Sequence, residues 1–213
     1  MIGLLIKDIF NILNNIKSLI FTVLILSLIL LTFMNTETYI ITMTIIFNMF
    51  TLTAITYDEH SNWDKYALTL PISIKDIIIS KYILMCLLST FGSVIASLIV
   101  FIISIFSDTI SRQNIYLFLP ISILITLFLS SFTLPIIYKY GVERSRPLIP
   151  LTTLIPILLG YSVFKIVTIL GIPINLTIVL KILILLSPLL IISTIGISIK
   201  ISIKIYKKNF LKS

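Results

Sequence analysis

Charge is what this chain lacks most. Only 11% of its 213 residues are charged, against roughly 25% in an ordinary soluble domain. A water-soluble fold of this length cannot hide that deficit, because a small domain still exposes much of its surface. Cysteine is equally scarce: the single Cys86 excludes an intrachain disulfide and a thiolate metal cluster. With one histidine, His60, in a polar stretch, an intramembrane metalloprotease has too few ligands. None of the six glycines is followed by lysine, so no loop is built to cradle a nucleotide's phosphates. Serine and threonine are plentiful in the apolar runs, but a hydrolase also needs a base within reach, and none lies among them. The runs also lack ionisable residues except at their ends, which argues against an ion-coupled carrier.

What is present is hydrocarbon, with 58% hydrophobic residues and a mean hydropathy of +1.18. Charge-free intervals fall at 18–36, 38–57, 82–107, 113–138, 147–164, 166–180 and 182–199. A spanning helix needs about 20 mostly apolar residues. Backbone in lipid must satisfy its own hydrogen bonds, and the strict alternation of a barrel strand is missing. The fold class is therefore all-α integral membrane, a single domain over 1–213 with six transmembrane helices. The spans are placed at about 18–36, 38–57, 82–107, 114–138, 147–165 and 178–199. Between the last two, Gly171, Pro173 and Asn175 punctuate the apolar run, and 166–177 is read as an outer re-entrant segment. No cleavable signal is expected, since no small-residue cleavage motif follows the first run.

Ahead of the first span, Ile2, Leu5, Ile6, Ile9, Phe10, Leu13 and Ile16 recur at helical spacing, with Lys7, Asp8, Asn11, Asn14 and Asn15 opposite. Residues 1–17 are thus expected to lie as an interface helix, apolar face in lipid and polar face in water. The net charge of +8 is carried mostly at the ends of apolar runs, where it sets topology and meets lipid headgroups rather than nucleic acid. With the N-terminus inside, the inner segments hold thirteen Lys and Arg, leaving Arg112, Lys165 and Lys181 outside. Both termini are then cytoplasmic, the basic 200–213 tail included, and so is the loop at 58–81.

That loop is the one polar island between membrane-length runs, and it holds the sole Trp and the sole His. A short helix is expected over about 58–70, with Trp63, Ala67 and Leu70 on one stripe. Pro71 ends it. Ser73 followed by Asp76 approximates a capping box that starts a second helix, running through Lys81 into the third span.

The run from Asp58 to Tyr82 resembles the first cytoplasmic loop of type-2 ABC exporter permeases, especially the small six-span Firmicute kind. An acidic pair (Asp58, Glu59), aromatics (Trp63, Tyr66), a Leu-Pro-Ile-Ser step (Leu70 to Ser73) and Ser80-Lys81-Tyr82 carry the resemblance. Ile74 departs from it, standing where a basic residue is common, with Lys75 next. The resemblance implies a coupling helix that docks in a separate cytoplasmic ATPase through Asp58, Glu59, Trp63, Asp64, Lys65, Tyr66, Leu70 and Pro71. It further implies a bacterial cell membrane, ATP and Mg held by the partner ATPase with no cofactor on this chain, and a second copy or homologue of the permease alongside. The implied substrates are amphipathic or antimicrobial peptides exported from the cell or membrane. The competing reading is a structural or regulatory membrane protein that docks a cytoplasmic partner and has no transport path.

Overall fold

Apolar runs with no water to hydrogen-bond their backbones must coil on themselves. In the computed structural model, which describes residues 1–67, 69–106, 112–152, 154, 158, 165 and 176–210, every element is helical. In order they are α1 (Ile2–Leu13), α2 (Ile16–Phe33), α3 (Thr36–His60), α4 (Trp63–Ala67), α5 (Ile74–Phe106), α6 (Arg112–Tyr140) and α7 (Val142–Ser145). A 3-10 turn (Arg146–Leu148) and the long α8 (Leu176–Phe210) follow. Among the described residues, five helices are long and apolar enough to cross a bilayer: α2, α3, α5, Ile115–Tyr140 of α6 and Ser187–Lys208 of α8. Most of the span expected at 147–165, and nearly all of the re-entrant segment expected at 166–177, lie outside the described residues.

The helices overrun the spans drawn from charge-free intervals. Nothing in a flanking Asp-Glu-His or in a lysine-spaced apolar segment forbids helix, so α3 continues to His60 and α8 carries the basic tail as helix to Phe210. At 33 residues, α5 is about 50 Å long, well beyond a hydrocarbon core of about 30 Å. The capping box at its start forms as expected. The Ser73 hydroxyl donates to Asp76 Oδ2 at 2.7 Å and accepts the Asp76 amide at 3.1 Å.

The helix expected over 58–70 is a correction. Asp58 to His60 belong to α3, and the chain then breaks at Ser61–Asn62, with Asn62 at φ 50°. Asparagine tolerates that left-handed conformation because its short side chain bonds locally. Only five residues, Trp63 to Ala67, form the separate helix α4.

The chain divides into two compact units, Met1–Ser130 and Ser131–Ser213. In the first, α3 and α5 pack along their length. The α5 face that meets α3 is made of small residues, with Ser89, Gly92, Ser93, Ala96 and Ser97 all buried. Small residues allow helices to approach closely where the hydrophobic effect offers no net drive. The serine hydroxyls donate back into their own helix, Ser89 to the Met85 carbonyl and Ser93 to that of Thr90, so burial leaves no hydroxyl proton unpaired. Tyr39, Ile40 and Met43 of α3 close the core against Ala96, Val100 and Ile115. Asn48 pins three helices: its amide donates to the Met85 carbonyl of α5 at 3.2 Å and its carbonyl accepts from Ser130 of α6 at 3.0 Å.

In the second unit, Gly141 joins α6 to α7 at φ 81°, a conformation open to glycine. Tyr138 stands edge-on to Tyr206 with centroids 5.7 Å apart. The Ser198 hydroxyl donates to the Ser131 carbonyl.

Gly92 makes the α3–α5 packing testable. A Cβ there would sit 2.5 Å from the Phe47 Cβ, whereas one on Gly196 of α8 meets nothing within 4 Å. Gly→Ala in a helix ordinarily gains about 0.5–1 kcal/mol, but overpacking costs about 1–3 kcal/mol. Gly196→Ala should therefore raise the melting temperature of the purified protein and Gly92→Ala should lower it. The opposite order would refute the close packing.

Candidate coupling site: a buried charge node

The two long helices that flank the polar island, α3 and α5, and the N-terminal α1 bring their charges to one point. Asp58, in the last turn of α3, is buried. A carboxylate at a helix C-terminus sits against the negative end of that helix's dipole and needs cations from elsewhere. Two supply them: Lys7 Nζ of α1 at 2.6 Å from Oδ1, and Lys81 Nζ of α5 at 2.6 Å from Oδ2. Both lysines also share Asp8 Oδ1 of α1, Lys81 at 2.7 Å and Lys7 at 3.0 Å. Two ammoniums and two carboxylates form a closed, neutral ring.

The ring is dry on one side. The side chains of Asp8, Lys81 and Asp58 are 1%, 5% and 7% exposed, while that of Lys7 is 23% exposed. Desolvating each ion costs several kcal/mol, and only close mutual pairing offsets it. The node is thus poor evidence for net stability but strong evidence for register. Shift α1, α3 or α5 by one turn, and a buried charge loses its partner.

Lys7 links the node to α4. Its ammonium lies 4.3 Å from the centre of the Trp63 ring, a cation–π contact worth about 0.5–1 kcal/mol or more. Trp63 and Ile72 pack on a small core of Leu4, Ala67 and Ile77, so α4 is wedged onto α1 and the start of α5. The outer side of α4 carries Tyr66, 57% exposed, whose ring tilts against Trp63 at 5.4 Å. Two buried polar atoms here have no hydrogen-bond partner, Asp8 Oδ2 and Trp63 Nε1. Each such orphan costs about 1–3 kcal/mol.

The residues singled out from the sequence separate into two groups. Asp58 and Trp63 meet at the node through Lys7. Glu59, Tyr66 and Pro71 are exposed, and Leu70 is half-buried. The side chains of Asp64 and Lys65 lie outside the described residues. The sequence reading missed Lys7, Asp8 and Lys81 as members of the site. Its expectation that the polar face of α1 meets water is corrected for Asp8, which is fully buried against Lys81 of α5, while Asn14 and Asn15 of the same face are exposed. The apolar face, with Ile2, Ile6 and Phe10 exposed, is free for lipid. Nothing in the spacing of Lys7 and Asp8 on the polar stripe of α1 marks either for burial, because their partners lie far away in the chain.

Removing one member of a buried, hydrogen-bonded pair costs about 3–5 kcal/mol because it strands the other charge. Lys81→Met should therefore destabilise the purified protein severely, and Lys7→Met, at the wetter corner, clearly less. The double exchange Asp8→Lys with Lys81→Asp should recover part of the loss. Thermal melting of the three variants checks the order, and a Lys7→Met melting point below that of Lys81→Met would contradict the burial gradient.

The description for ABC-2 family transporter proteins matches residues 3–207, a stretch that includes the node, the polar island and nearly all of the membrane-length helices among the described residues. No curated protein and no solved structure matches the chain. With nearly its whole length accounted for, the chain belongs to the ABC-2 transporter family, as a multi-pass permease component.

Proposed function

We propose that this chain is the membrane subunit of an ATP-driven exporter that moves amphipathic or antimicrobial peptides, with ATP hydrolysed on a separate cytoplasmic ATPase. One observation carries the coupling part of this reading: α4 presents Tyr66 outward while its inner face is fixed to three helices through Lys7 and Trp63. A short helix held this way transmits a push to α1, α3 and α5 together. Glu59, Tyr66, Leu70 and Pro71 form the contact surface for the ATPase, with Asp64 and Lys65 between them. Asp58 and Trp63 act from beneath, as positioning residues.

The lysine distribution supports a cytoplasmic position for the island and both termini, and the loop's resemblance to exporter permeases supports a bacterial cell membrane. A second copy, or a homologue, completes the path for an amphipathic substrate. Transport is a two-state switch, and the substrate must bind the two states differently to be moved. The peptide substrate rests on the loop's resemblance to exporters of such peptides.

The contact surface and the node predict different failures. An exposed aromatic at the centre of an interface contributes about 2 kcal/mol or more, so Tyr66→Ala should weaken co-purification with the ATPase at least about 30-fold and leave the melting temperature unchanged. ATP-dependent peptide uptake into inverted vesicles should fall with it. Undiminished association in Tyr66→Ala would remove α4 from the ATPase contact, and ATP-independent uptake would remove the exporter assignment.

A further inference from the structure

A cleft of about 890 Å³ runs between α2 and the α3–α5 pair, closed at one end by α1. Along α2 its lining extends from Ile16 to Ser27, a rise of about 17 Å along the helix. That is close to the depth of one leaflet, half of a core of about 30 Å. Leu24, Leu87 and Phe91 line it and remain exposed, so the cleft opens to the surrounding lipid.

The wall offers no hydrogen bonds. Its two hydroxyls are already engaged, Ser27 with Tyr39 at 2.8 Å and Thr90 with the Cys86 and Leu87 carbonyls of its own helix. An extended peptide lying there would bury unsatisfied amides at several kcal/mol each. A hydrocarbon chain would bury none. At the end where α1 meets α2 the chemistry changes: Lys17 follows the lining residue Ile16, is exposed, and has no ion-pair partner among the described residues. Exposed Asn14 lies in the same turn.

We propose that this cleft is a binding site for an anionic diacyl phospholipid, its acyl chain along α2 and its headgroup on Lys17. The lipid would wedge α2 apart from α5 and cover the apolar wall beside the buried node. This site is independent of the ATPase and of the transported substrate.

Acyl-chain-brominated lipids quench a tryptophan they touch, and Phe91→Trp puts one in the wall with its edge contact to Phe47 conserved in kind. The full chain is reconstituted with brominated phosphatidylglycerol or brominated phosphatidylcholine at equal sub-saturating mole fractions, and the parent chain's Trp63 signal is subtracted. Phe33→Trp, at a side chain 85% exposed and outside the cleft, reports bulk lipid. One lysine near the surface gives about a fivefold preference for the anionic lipid. The expected result is that preference at position 91, parity at position 33, and loss of preference in Lys17→Gln or at about 1 M salt, where screening falls to about 3 Å. Equal quenching by both lipids at position 91 would overturn the proposal, leaving ordinary solvation. Absence of quenching by either would overturn it too, by showing that protein, such as a second copy, covers the cleft. A preference that survives both Lys17→Gln and high salt would overturn the headgroup assignment.

Discussion

The four-charge ring of Lys7, Asp8, Asp58 and Lys81 is the constraint from which the arrangement around the polar island follows. Charges are expensive to bury, and a closed ring of short contacts is the arrangement in which burial becomes tolerable. Because its members come from α1, α3 and α5, the ring fixes three helices at one point. The first of them would otherwise be held by its apolar contacts alone. Tolerance for error is small at such a point. A slip of one turn in any helix converts compensated ions into isolated ones.

Farther along the same helices the cohesion is of another kind. Small residues on α5 bring it close to α3, at Gly92 closely enough that no Cβ fits, and the buried Asn48 supplies a polar rivet. Packing of that type forms a rigid pair. The ring at one end and the close-packed seam at the other make α3 and α5 a single beam, with α4 seated at its end.

Much of the architecture was legible in the sequence because the bilayer imposes simple rules. Length and apolarity marked the helices that span, and the Ser73–Asp76 pair marked where α5 begins. The αL turn at Asn62 was not legible: asparagine permits that conformation without requiring it, and the polar stretch on either side supports helix equally well. The node was half visible. Asp58 stood out as an acid in a motif, but its burial depends on lysines 51 and 23 residues away, and no local pattern reports a contact at that separation. Lys7 and Asp8 looked like ordinary members of a wet face. A helix can be amphipathic toward lipid on one side and toward protein charges on the other, and periodicity alone does not separate the two.

The central claim is that buried ion pairing, rather than lipid, holds α1 in place. Amide hydrogen exchange across Ile2–Leu13, measured on the reconstituted protein with and without Lys81→Gln, tests it most directly. The account predicts slow exchange over α1 in the parent chain and markedly faster exchange in the variant, while the α3–α5 seam around Asn48 stays protected. Unchanged protection of α1 in the variant would contradict it.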